Sequence, residues 1–558
     1  MDYKRAVEEK KAYLAPLTSR MDTDRELVEL DQYVLRDVND KEIPNAINVT
    51  LNDPGTFATN VESSLGSSTE QVTVESDSRG FDSSEVEEFI KAAFAAADQR
   101  LIKTGQYLIN PYIDQQMCRR GRGAARCLFR KDSKTGQIIP GIVPLDTRYL
   151  YYEIGFDGLA WGGYETVRTK DMIKSEYPKA SPKDDTAVVL DVWDTEHNEV
   201  WVDDEQVSEK RHNYGYTPIV LQMVPIGSML ADKDSLAHQG ESIFFLIRDL
   251  VPQLNRLVSI IQSLNMKALD NALLWKSQEG ILATPPDYDE LTAPGSTTPA
   301  DIGGGAEPVS YGKLKQEAWL LHEIIETRIQ RGSLSSIDLG TLEFPMSAVA
   351  LVQIGEGRDV VFLPRLGARG LLKQRLAEMF IDQIIKTGDS TVEIGTPGHK
   401  RKFDVGKLKG DYDISFKYFI KSPKIDVARF SMAAAAGDLI PNRSKRRDIL
   451  QREDPEEDER WLRWEEAERL SPGIKMNRTV KALIEMAEDG DKDAELEAEI
   501  MSAEMGVNLE QMLRGDTEQQ LSPQGEQKPV PMLPMFSGGG GNKGGVKAQA
   551  PPVEREGE

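Results

Sequence analysis

The sequence predicts an α+β chain, mainly helical, and three observations carry that prediction. Apolar residues recur at alternating steps of three and four at Ile243, Ile247, Leu250, Leu254, Leu257, Ile261, Leu264 and Ala268, and again at Leu314, Ala318, Leu321, Ile325 and Ile329. That spacing places one apolar stripe along each of two long helices. Strand-type segments, rich in aromatic and β-branched residues, are concentrated in one block from Gly141 to Gly227. Between the two helices, Gly280 to Gly312 holds five prolines and the acids Asp287, Asp289, Glu290, Asp301 and Glu307, without a single Lys or Arg. The expectation is a helical hairpin with a protruding acidic tip. Its ordinary reading is an interdomain antiparallel helix pair.

The chain has 558 residues and 39% hydrophobic content, enough for several domains and a sizeable core. Its 68 basic residues against 92 acidic ones leave a net charge of -24, which repels phosphate and excludes a broad nucleic-acid grip. No apolar run approaches the roughly 20 residues that cross a bilayer, so no membrane partner is expected. The N-terminal MDYKRAVEEKKAY is charged and helical in pattern rather than a basic head before an apolar run, so it does not read as a secretory signal. Cys118 and Cys127 are too few for a four-cysteine zinc site and do not fit Cys-x-x-Cys spacing, which leaves two reduced thiols and no metal.

Taken in order, residues 4 to 35 carry helical spacing, a helix is expected from after Ile43-Pro44 through Leu65, and Gln71 to Glu75 reads as a strand. Asp82-Ser83-Ser84 followed by Glu85 opens a helix to about Lys103, with cap and first-turn acid in their favoured places. A further helix from Gln106 to Met117 leads into the densest basic cluster, Arg119, Arg120, Arg122, Arg126, Arg130 and Lys131. It could face phosphate, but in so acidic a chain the ordinary reading is ion pairs. Arg148 to Ile154 and Trp161 to Arg168 read as strands, and Ala187 to Asp194 and Glu199 to Val207 as a hairpin turned at Thr195 to Asn198. Near the end, Glu453 to Arg469 reads as a surface helix anchored by Trp461, Leu462 and Trp464, and the chain beyond Gly515 has the Gly, Pro and Gln excess of a disordered tail.

The order of these parts resembles the portal proteins of tailed bacteriophages over roughly residues 40 to 470. The resemblance rests on His212 to Val220 (HNYGYTPIV), on Gly240-Glu241-Ser242 at the head of the long helix, on Leu363-Pro364 entering Leu371 to Ile385, and on Ile420 to Asp454 with Gly437 and Asn442-Arg443-Ser444. It implies a subunit with wing, stem, clip and crown regions that forms a ring, with twelve copies around a DNA-wide channel. On that pattern 1–234 would be the N-terminal helical region and β-rich wing, 235–273 the first stem helix, 274–312 the clip and 313–331 the second stem helix. Residues 332–410 would be the channel loop, a kinked helix and the return to the wing, 411–514 a crown-like helical region, and 515–558 the disordered tail.

The resemblance further implies that the genome is packaged and ejected through the ring at one capsid vertex. Its partners would be double-stranded DNA in transit, the terminase packaging motor, the major capsid or scaffold protein, and the neck or tail adaptor. The protein would be made in the host cytoplasm and reside in the virion. Asp287, Asp289, Glu290, Asp301 and Glu307 would form the partner-binding clip. Ser335, Ser336, Asp338, Thr341 and Glu343 would line the channel loop, for which the break at Pro364 to Gly370 is the alternative. Arg365, Arg369 and Lys373 would be occasional DNA contacts, with ion pairs as their ordinary reading. Pro252 should kink the stem helix or mark its true start.

No catalytic constellation stands against this reading. The chain has no G-x-x-x-x-G-K-S/T loop, Gly355-Glu356-Gly357 lacks the third glycine of a dinucleotide fingerprint, and GGGGNKGG follows no strand. His197, His212, His238, His322 and His399 are scattered. No enzyme, cofactor or metal is expected. The alternative function is a non-enzymatic helical adaptor or scaffold of a virion that forms no DNA channel.

Overall fold

The computed structural model describes residues 2–78, 81, 83–132, 137–230, 232–269, 273–276, 305–308, 316–333, 348–419, 429–430, 432–450, 452 and 455–470, and isolated residues from 475 to 500. Residues Met1–Trp461 form one compact unit and Leu462–Glu558 a second.

In the first unit, mixed helix and sheet surround one large core. Helix α1 (Tyr3–Glu29) begins at Asp2, whose carboxylate accepts the Arg5 N–H. Helix α2 (Asp53–Gly66) follows, with Pro54 in its first turn. It begins later than the sequence suggests. Residues 47–52 alternate apolar and polar, Ile-Asn-Val-Thr-Leu-Asn, and that period of two makes them extended rather than helical. Strand β1 (Thr69–Glu75), α3 (Ser83–Lys103) and α4 (Ile109–Arg119) come next.

Short strands β2 (Arg122–Arg126), β3 (Phe129–Lys131), β4 (Ile138–Pro140) and β5 (Val143–Leu145) lead to a five-stranded antiparallel sheet. That sheet is a simple meander of β6 (Leu150–Ile154), β7 (Leu159–Thr169), β8 (Thr186–Asp194), β9 (His197–Val202) and β10 (Glu205–Arg211), with α5 (Lys170–Glu176) between β7 and β8. The β8–β9 hairpin turns at the expected place. Glu199 to Val207, however, is two strands: Val202 pairs with Glu205 across Asp203-Asp204, and Asp203 takes a left-handed φ of 50°. Helix α1 covers one face of the sheet, packing Val7, Leu14, Leu17 and Met21 on Tyr151, Trp161, Leu190 and Val192.

Strand β11 (Ile219–Met223) joins β2 and β5 in a three-stranded sheet of order β11-β2-β5. Helix α6 (Leu250–Leu269), strands β12 (Leu273–Lys276) and β13 (Gly305–Pro308), helix α7 (Gln316–Gly332) and the long helix α8 (Ala348–Lys386) follow. Strands β14 (Thr391–Thr396) and β15 (His399–Asp404) form a hairpin, and β16 (Asp413–Phe419) pairs with β1 along its whole length. Strand β16 therefore belongs to the body, and a crown-like region starting at 411 begins too early. Helix α8 runs unbroken through Pro364. The alternative channel loop at Pro364 to Gly370 is thereby removed: the segment is helical, and at Gly370 a β-carbon would sit 2.9 Å from the Phe416 carbonyl oxygen, so glycine is what lets the helix lie against β16.

The core lies where α8, α3, α4 and α2 close over β1–β16, β2–β11 and β14–β15. Phe89 packs on Phe380 and Phe403, and Phe94 on Phe416, each pair 5.3 to 6.0 Å between ring centres. Helix α9 spans Pro455–Leu470. Trp461, Leu462 and Trp464 are about half exposed, and Arg478 lies over the Trp464 ring.

Candidate functional site: a helical pair rooted in buried charge

The helical pair is built from a tight backbone junction. Gly121, with φ of 72°, lies so close to Gly240 that a β-carbon would meet its carbonyl oxygen at 1.8 Å. This contact aims Glu241 inward, where its side chain is fully buried. Its carboxylate accepts from Arg20 Nη1 at 2.8 Å, Arg248 Nη2 at 2.6 Å and His238 Nδ1 at 2.8 Å. Asp24, equally buried, accepts from Arg248 Nε at 2.6 Å and Nη2 at 3.0 Å. Arg20 also donates to the Gly240 and Arg120 carbonyls. Burial alone would raise the Glu241 carboxyl, but the bond from Arg248 and the Arg20 charge hold it at about 2. The cluster ties α1, the β2 lead and the head of α6 into one joint.

Residues 243–249 form turns, and α6 itself begins at Leu250, so Pro252 sits in its first turn, where its missing N–H costs nothing. The helix expected to start at 235 thus begins at Leu250. Its inner face carries Asn255, Ser259 and Ser263, one per helical turn. These accept the N–H groups of Leu51 at 3.1 Å, Val49 at 2.9 Å and Ile47 at 2.9 Å. A helix side-chain ladder thereby takes the place of a neighbouring strand for residues 47–51, and pins them to α6.

Strands β12 and β13 pair antiparallel as a ribbon beyond α6, and α7 returns. The return leg ends beside the root: a β-carbon on Gly332 would meet Ile247. Ile325 and Ile329 of α7 are buried, while Trp319, Leu320, Leu321 and Ile324 are 48 to 57% exposed. The helix therefore has a second apolar side that nothing among the described residues covers.

Of the candidate clip residues, Glu307 lies on β13 and pairs with Lys276 across the ribbon. Asp287, Asp289, Glu290 and Asp301 lie outside the described residues, as do the channel-loop candidates Ser335, Ser336, Asp338, Thr341 and Glu343. Arg365, Arg369 and Lys373 are not DNA contacts in this fold: each is no more than 3% exposed. Their spacing on α8 puts them on its inner side, where Arg369 meets Asp114 and lies 3.9 Å over the Tyr418 ring, and Lys373 meets Glu70 at 2.6 Å. Arg365 donates to the Val361 carbonyl. Burial pulls the Lys373 ammonium down, and the Glu70 carboxylate opposes it. Burial raises the Asp114 carboxyl to about 6 even with Arg369 against it.

Most of the basic cluster is likewise engaged within the chain. Arg119 forks onto Glu62, Arg126 pairs with Asp191, Lys131 with Asp389, and the buried Arg122 donates to the Tyr152 hydroxyl and the Gln239 carbonyl. Cys118 and Cys127 are buried free thiols. Among the described residues no His, Cys, Asp or Glu cluster could hold a metal ion, and no helix is long and apolar enough to cross a membrane.

The root cluster was missed as a site in the sequence, yet it left a signal. Arg20 and Asp24 fall in phase with the apolar stripe of Leu14, Leu17 and Met21, and charges at inward positions of a helix need buried partners.

No family model matches the sequence, and no curated protein matches it. Among solved structures, the chain is similar to one from the "Neck of native GTA particle computed with C12 symmetry", at 14% identity over 65% of this chain and 87% of that one, with a TM-score of 0.34. It is also similar to one from the "Neck of empty GTA particle computed with C6 symmetry", at 12% identity over 71% and 89%, with a TM-score of 0.37. Both scores lie below the range in which two chains share one fold.

Proposed function

We propose that this chain is a portal-type subunit of a tailed-phage-like particle: copies assemble into a ring whose channel passes the genome during packaging and ejection. The observation that carries the reading is the α6–α7 pair, rooted in a buried charge joint, closed by a ribbon, and bearing an uncovered apolar side on α7. Copies related by rotation about a common axis would cover that side with the next subunit, a heterologous contact that closes into a ring. The net charge of -24 suits a channel wall that must let DNA move without holding it.

In this reading the ribbon and the acidic residues beyond it dock the packaging motor and then the neck or tail adaptor, the ring sits at a capsid vertex, and the chain performs no catalysis. The -24 charge and the inward use of Arg365, Arg369 and Lys373 both favour loose DNA contact. Mass photometry of the purified protein tests it. The expected particle mass is about twelve times the 62.2 kDa chain; a mass fixed at one or two chains across concentration and salt would support the adaptor or scaffold alternative.

A further inference from the structure

Among the described residues strand β11 is an edge strand, paired with β2 on one side only, and a cavity lies beside its other edge. The bonds Cys127 N–H to Pro218 O and Val224 N–H to Gly121 O flank its pairing with β2. With a period of two, Val220 and Gln222 turn their backbone groups to β2, while Ile219, Leu221 and Met223 turn theirs outward. Pro144 confirms the phase from the far side: it stands opposite Ala125, whose backbone faces β11, so its missing donor costs the sheet nothing.

The outward edge opens into a cavity of about 380 Å³ between two layers. One wall is α8, through Leu371 and Met379; the other is the β6–β7 turn, through Ile154 and Leu159. Natural sheets protect such edges with charge, proline or a covering element. Here Leu371 and Ile154 are 55% and 61% exposed, and Phe156 at the tip of the turn is fully exposed. The polar groups of the lining are already engaged: Gln374 and Arg375 bond Glu378, and Gln222 bonds the Met223 carbonyl. None of these calls for a charge on an occupant.

We infer that this slot takes an extended arm of a partner polypeptide, uncharged and apolar on both faces, that adds to β11 as a fourth strand. Its backbone satisfies the outward N–H and C=O groups of Leu221 and the outward N–H of Met223, whose carbonyl already accepts from Gln222, and its alternate side chains meet α8 on one side and the β6–β7 turn on the other. The inference is independent of ring formation.

The test uses the full-length protein and a synthetic eight-residue peptide of alternating Ile and Val with blocked ends, together with the same peptide N-methylated at every second amide. Wild type should bind the first saturably and slow amide exchange at Leu221 and Met223 by about tenfold or more; the methylated peptide should not bind. Leu221→Pro removes an outward donor at a position where an edge strand tolerates proline, and Leu371→Glu charges an exposed wall position. Both should abolish binding with unchanged circular dichroism. Absence of saturable binding to wild type, binding that survives Leu371→Glu, equal binding of the methylated peptide, or exchange at Leu221 already slow and concentration-dependent without peptide, which would mark a second copy, each overturns the proposal.

Discussion

Replacing Glu241 with alanine is expected to cost about 3–5 kcal/mol of stability, the range for removing one partner of a buried ion cluster. The deletion leaves Arg20 and Arg248 buried with only Asp24 to oppose them, and it strips the His238 ring of its acceptor. Chemical denaturation followed by tryptophan fluorescence reads the loss. The same group predicts a pH dependence. A carboxyl held at about 2 in the folded chain, below its ordinary value near 4.3 when unfolded, contributes stability that is complete above the unfolded value and disappears as pH falls towards 2. Between pH 5 and pH 2 the wild type should therefore lose more stability than Glu241→Ala. Parallel curves for the two proteins would mean the cluster does not hold the joint.

Paired Leu320→Lys and Ile324→Lys substitutions should leave the single chain folded and abolish assembly. Both side chains are about half exposed, so the substitutions create no buried charge and should shift monomer stability by no more than about 0.5 kcal/mol. Between copies the same lysines would desolvate two charges per interface and place like charges around every contact. Mass photometry should then show single chains where the wild type shows rings. Glu323→Lys on the same helix changes charge without removing an apolar group and serves as the control. Rings that survive the double substitution would remove α7 from the subunit interface.

How much of this was legible depended on whether the physics was local. The helical stripe at Leu254, Leu257 and Ile325, the strand at Gln71 to Glu75, the Ser83 helix start and the β8–β9 turn all follow from nearest-neighbour periodicity and caps, and the structure places each where the pattern does. Residues 47–52 went astray because their alternation is short and their partner is a helix more than 200 positions away. The Asp203-Asp204 turn is hidden in the sequence because an acidic pair turns the hairpin without the glycine that usually announces one. On α8 the three cations look like a phosphate-facing set in one dimension. Only the tertiary placement of Glu70 and Asp114 shows that the charges are consumed inside. The candidate root was half visible: Gly240-Glu241-Ser242 marked the head of the helix, while the role of Arg20 and Asp24 needed the fold.

The most direct measurement is cryo-electron microscopy of the purified protein, with class averages scored for rotational symmetry and for a central opening. The account predicts closed rings in which α7 of one copy lies against its neighbour, around a channel of about 20 Å or more, wide enough for a B-form duplex. Compact monomers or dimers without a central opening, at every salt and protein concentration tried, would contradict it.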